Sequence, residues 1–62
     1  MSDTVVIYKN ITTNQTYCRF NPDNSHEFYL YSREDDSGAS DIKINDDELS
    51  KNYIEIDRYQ ED

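Results

Sequence analysis

The chain is short of the usual means of holding a small protein together. Its 62 residues include one cysteine, one histidine, one proline, one glycine and no tryptophan. A lone Cys18 excludes an intramolecular disulfide. One cysteine and one histidine cannot supply the roughly four ligands of a structural zinc site. No apolar run is longer than Val5-Val6-Ile7, which excludes a membrane-spanning helix. Ser2-Asp3 follows Met1 with no basic region and no apolar stretch, so no targeting leader is readable. An unpaired cysteine suits a reducing compartment, and a cytoplasmic location is expected.

Positive charge is also scarce. Six bases face fourteen acids, a formal net of −8. The excess is uneven: residues 1–22 hold Asp3 against Lys9 and Arg19, while residues 23–62 hold the other thirteen acids and four bases. Such a field repels nucleic acid and anionic lipid and attracts basic protein surfaces. Counterion-release binding to nucleic acid is excluded on sign. The triplets Asn10-Ile11-Thr12 and Asn14-Gln15-Thr16 are read as loop chemistry rather than glycosylation sites.

What the chain does have is tyrosine. Val, Ile, Leu and Phe number only twelve, a level at which high charge warns of disorder. Six tyrosines offset that, since each buries a ring while its hydroxyl stays wet. A domain of this size buries only about 60% of its unfolded surface, so one marginal core is expected. The chain reads as a single domain over residues 1–62, with 1–3 and 60–62 frayed.

Period-2 patterning predicts five strands. They are Thr4–Lys9, Thr16–Phe20, Glu27–Arg33, Asp41–Ile44 and Tyr53–Tyr59. The polar stretch 10–15 joins the first two as a hairpin, and Asn21-Pro22-Asp23-Asn24-Ser25 is a clear turn. Glu27–Arg33 carries Phe28, Leu30 and Ser32 on one face and Tyr29, Tyr31 and Arg33 on the other, which places it inside the sheet. Cys18 and Phe20 are assigned to the core face of their strand, as are Phe28, Leu30, Ile42, Ile44, Ile54 and Ile56 on theirs. Asn45 followed by Asp46-Asp47-Glu48 predicts a capped helical turn over 46–51, anchored by Leu49. The fold expected is mainly β: a curved antiparallel sheet or SH3-like barrel of four or five strands, with one short helical turn before the last.

Leu49-Ser50-Lys51-Asn52-Tyr53-Ile54-Glu55 resembles the end of an SH3 domain, where a helical turn leads into an Asn-Tyr-Val strand. The resemblance covers seven residues and implies SH3-like topology. An ALYDY-like segment is missing, as are the Pro before Ser-Asn-Tyr and a tryptophan to line a Pro-rich groove.

Catalytic and metal readings are weak. His26 lies beside a turn, and a cysteine alternating with Phe20 behaves as a small hydrophobe rather than a nucleophile. A calcium loop threaded on Arg33–Ile44 through Gly38 has Arg33 first and Ile44 twelfth, where the motif needs Asp and Glu. No enzyme activity, cofactor or metal is expected.

The acids and tyrosines remain as candidate partner-binding residues. The acids are Glu34, Asp35 and Asp36; Asp46, Asp47 and Glu48; and Glu55 with Asp57. The last two, at alternate strand positions about 6.7 Å apart, would present charge at a density within a factor of about two of a nucleic-acid strand. Tyr29, Tyr31, Tyr53 and Tyr59 are candidate interface anchors. Two functions follow. One is a small acidic inhibitor or modulator of a basic, nucleic-acid-handling protein, a DNA mimic of the phage or mobile-element type. The other is an SH3-like module that binds a peptide or self-assembles through a tyrosine-lined surface. Acids gathered on one face favour the first; a continuous aromatic surface favours the second.

Overall fold

A computed structural model describes residues 2–34, 38 and 40–61. The chain forms β1 (Asp3–Asn10), β2 (Thr16–Phe20), β3 (Glu27–Ser32), β4 (Ile42–Asn45), α1 (Asp46–Asn52) and β5 (Tyr53–Glu61). All pairings are antiparallel, in the order β4-β3-β2-β1-β5. The mainly β fold with a helix ahead of its last strand is the one the patterning predicts. β3 is an interior strand, as its two apolar faces require.

The turns follow from side chains that bond their own backbone. In the β1–β2 hairpin, Asn10 Oδ1 accepts from Thr12 N (2.8 Å) and Thr13 N (3.0 Å), and Asn14 takes φ 65°. After β2, Asn21 at φ 47° turns the chain. It also pins β1: its N–H donates to Thr4 O (2.8 Å), and its Oδ1 accepts from Thr4 N (2.9 Å). Asn45 caps α1 by accepting from Glu48 N at 2.9 Å, with Asp46, Asp47 and Glu48 in the first turn where the dipole favours acids.

The inner face of the sheet carries the core: Val6, Tyr8, Tyr17, Leu30, Ile44 and Tyr53, with Phe28, Ile42 and Leu49 packed against it. Three of the six tyrosines are therefore structural. Tyr17 and Tyr53 meet edge to face, with centroids 5.9 Å apart. Tyr17 also donates its hydroxyl to Gln15 Oε1 at 2.9 Å, so burying the ring strands no polar atom. Desolvation raises the Tyr17 pKa, with Tyr53 and Glu34 acting in the same sense.

Three sequence assignments are corrected. Ile54 and Ile56 are half-exposed rather than inward, at 50% and 48%. The β1–β5 register slips between Ile7 and Tyr8, which leaves Ile56 unpaired as a bulge. Before the bulge Tyr53, not Ile54, falls on the inner face opposite Asn10. Cys18 and Phe20 lie on the outer face, because their paired residues Ile7 and Val5 do; Tyr17 and Arg19 point inward instead. Gln60 and Glu61, expected to fray, continue β5 opposite Thr4 and Asp3.

Candidate functional site

The outer face of β5-β1-β2-β3 is not the polar surface that a half-buried sheet usually shows. Residues paired across a ladder share a face, so the register assigns it. One row runs Tyr59–Val5–Phe20, and the next runs Asp57–Ile7–Cys18–Tyr31. Val5 and Ile7 are 1% and 2% exposed although they point away from the core cluster. Around them stand side chains that are half in water: Phe20, Tyr29, Tyr31, Ile54 and Tyr59. The Phe20 and Tyr31 rings lie 5.7 Å apart in a tilted pair. Apolar and aromatic residues of β1, β2, β3 and β5 build this surface, and strand alternation together with the ladder register puts them on one face.

The surface ends where β2 and β3 separate. Their ladder holds only Tyr17↔Ser32 and Cys18↔Tyr31. Beyond it, a cleft of about 180 Å³ opens between Phe20, Tyr29 and Tyr31 on the outer side and Arg19 and Phe28 on the inner. Arg19 plugs the wedge. Its guanidinium sits 3.7 Å from the Phe28 ring centroid and donates to Asp23 O at 3.3 Å. The Asp23 carboxyl is held below the usual range, first by hydrogen bonds from Ser25 and then by Arg19. Burial pushes the Cys18 thiol up, against the opposing pull of Arg33.

The acids are dispersed and several are engaged. Asp46 Oδ2 lies 3.1 Å from His26 Nδ1, and Glu27 pairs with Lys43 at 3.8 Å. Asp41 accepts from Ser32 N at 3.2 Å. A second hollow, of about 440 Å³, is lined by His26, Glu27, Asn45, Asp46 and Asp47. Among the described residues, no group of three His, Cys, Asp or Glu is placed to hold a metal ion. Nor is any helix there long and apolar enough to cross a membrane.

The candidate binding residues therefore divide. Tyr29, Tyr31 and Tyr59 share the outer face. Tyr53 does not: at 9% exposure it belongs to the core, which corrects its reading as an interface anchor. Glu55 and Asp57 do not share a face. Glu55 is opposite Tyr8 and Asp57 is opposite Ile7, so the bulge at Ile56 turns them to opposite sides. The row of charge expected along β5 is absent. Glu34 and the α1 acids Asp46, Asp47 and Glu48 are exposed, and Asp35 and Asp36 lie outside the described residues. Phe20 and Ile54, expected in the core, are additions to the surface. The alternation at Thr16–Phe20 contained that signal, but the choice between its faces required the β1–β2 register.

No family model, no characterised protein and no solved structure matches the chain.

Proposed function

We propose that the protein is a small acidic, non-enzymatic binding module that engages a basic protein partner through the outer face of its sheet. The observation that carries this reading is the outer-face set of half-exposed aromatics, the Phe20–Tyr31 pair and Tyr59, around a dry floor of Val5 and Ile7. Half-exposed aromatics around a desolvated centre are the usual anatomy of a binding hot spot, at low entropic cost per ring. The net charge of −8 selects a basic partner and speeds encounter. The unpaired Cys18 supports a cytoplasmic setting.

A second reading keeps the acids as the contact surface: inhibition of a nucleic-acid-handling protein by mimicry of DNA, in the manner of phage or mobile-element inhibitors. It is favoured by α1, where Asn45 holds Asp46, Asp47 and Glu48 together in one exposed turn. The loss of a shared face for Glu55 and Asp57 counts against it.

Affinity capture from the source cell separates the two. The outer-face reading expects capture to be lost with Phe20→Ser plus Tyr31→Ser. It expects capture to survive Asp46→Asn, Asp47→Asn and Glu48→Gln together. The mimicry reading expects the reverse, with added DNA or RNA displacing the partner.

A further inference from the structure

We propose that the outer edge of β5, over Asp57–Glu61, takes an extended basic segment of the partner as a sixth strand. This rests on the partner-binding reading and states how the partner is held. β5 ends the strand order and, among the described residues, pairs on one side only, with β1. After the bulge its register is unbroken, from Asp57↔Ile7 to Glu61↔Asp3. The stretch has no proline, and all five residues are exposed. The opposite edge is different. β4 has four residues against nine in β5, and a very short edge strand is one way sheets discourage further pairing.

One hydrogen bond marks the direction in which β5 is open. The Arg58 N–H donates to the carboxylate of its own neighbour, Asp57 Oδ1, at 2.8 Å. A strand N–H held in this way is not in the β1 ladder; it points to the free edge. The Asp57 carboxylate occupies the place where the carbonyl of a further strand would accept. Strand alternation then sends Arg58 and Gln60 to the edge for backbone pairing. It leaves Asp57, Tyr59 and Glu61 at the positions where cross-strand side chains approach most closely.

The register also specifies the ligand. Asp57, Tyr59 and Glu61 are on the outer face with Ile7, Val5 and Asp3. An antiparallel strand laid against them meets acid, aromatic and acid. Its complement is basic, any residue, apolar, any residue, basic, with the apolar residue extending the row Phe20–Val5–Tyr59. A second copy of the chain is a poor occupant. Full overlap of two Asp57–Glu61 edges sets Asp57 directly opposite Glu61 twice, and like charges directly opposite destabilise a ladder.

The test is a titration of the ¹⁵N-labelled protein with a blocked peptide, Thr-Lys-Thr-Val-Thr-Lys-Thr. The Arg58 and Gln60 amides should shift, and their hydrogen exchange should slow. The Asp57→Asn, Glu61→Gln double variant, whose changes are exposed and leave the core untouched, should bind roughly fivefold more weakly. The same peptide with Glu for Lys should not bind, nor should a version N-methylated at its inner threonines. Equal binding of the Glu or N-methylated peptide overturns the proposal. So do shifts centred on α1, or protection of the Arg58 amide that grows with protein concentration alone, which would mean that a second copy fills the edge. If the peptide fails while Phe20→Ser plus Tyr31→Ser still abolishes partner capture, the edge proposal falls and the outer-face reading stands.

Discussion

Glu55 and Arg58 are three residues apart on one strand, yet they form an ion pair with Oε1 and Nη2 2.8 Å apart. In a regular strand such residues point to opposite faces. Here the unpaired Ile56 resets the phase, so both fall on the side of Tyr8 and Val6. The same residue separates Glu55 from Asp57, turns Ile54 outward and places Tyr53 in the core. One bulge thus decides which part of β5 is structural and which part is surface.

The first prediction follows from that division. Ile54→Ser and Ile56→Ser should leave the urea midpoint close to the parent's, because both side chains are half in water. Leu30→Ala and Ile44→Ala should cost about 2–5 kcal/mol each. In a domain this small each kcal/mol moves Tm by about 4–8 °C. A fall in Tm of that size on changing Ile56 would return it to the core and refute the bulge.

Much of the fold was legible because it depends on local periodicity. β2 begins and ends where its alternation does, and α1 starts at the Asn45 cap with Leu49 as its apolar anchor. The faces were less legible. A strand's alternation defines two faces but not which one is buried, and that choice depends on its neighbours' register. For β2, Tyr17 and Arg19 look no more interior than Cys18 and Phe20 until Val6 and Tyr8 are set opposite them. For β5 the reading failed at a bulge, which no residue near Ile56 announces. The candidate site suffered from the same gap: its tyrosines were visible, but the division of Tyr53 from Tyr59 was not.

Asn21 tests how β1 is held. Asn21→Ala removes the acceptor for Thr4 N and places a residue less tolerant of positive φ at 47°. The expected loss is about 1–3 kcal/mol. Asn21→Gly should lose less, because it relieves the backbone and forfeits only the side-chain bonds. Hydrogen exchange at Thr4 should accelerate in both. If the two variants are equally stable, backbone conformation is not part of the cost.

The helix start gives an independent check. Asn45→Ala should cost about 0.5–2 kcal/mol, whereas Asn45→Ser or Asn45→Asp should retain most of the stability. Chemical denaturation of the three variants measures this. Equal loss in all three would mean that Asn45 acts through something other than its bond to Glu48 N.

Alkali should unfold the protein through Tyr17. Its folded pKa lies above the usual 10.0, so the folded state holds that proton more tightly than the unfolded chain. The associated stability is complete below about pH 10 and is lost as pH rises through the folded value. A denaturant series across pH 8–12 should show the parent weakening above pH 10. Tyr17→Phe, which cannot ionise, should weaken less. Parallel curves for the two proteins would contradict the assignment.

The most direct test of the central claim is a hydrogen-exchange footprint of the captured partner on the protein, at backbone resolution. The aromatic-face account predicts protection across β2, β3 and the free edge of β5, around Phe20, Tyr31 and Tyr59, with α1 exchanging as it does in the free protein. Protection confined to Asp46–Glu48, with the outer face unchanged, would contradict it.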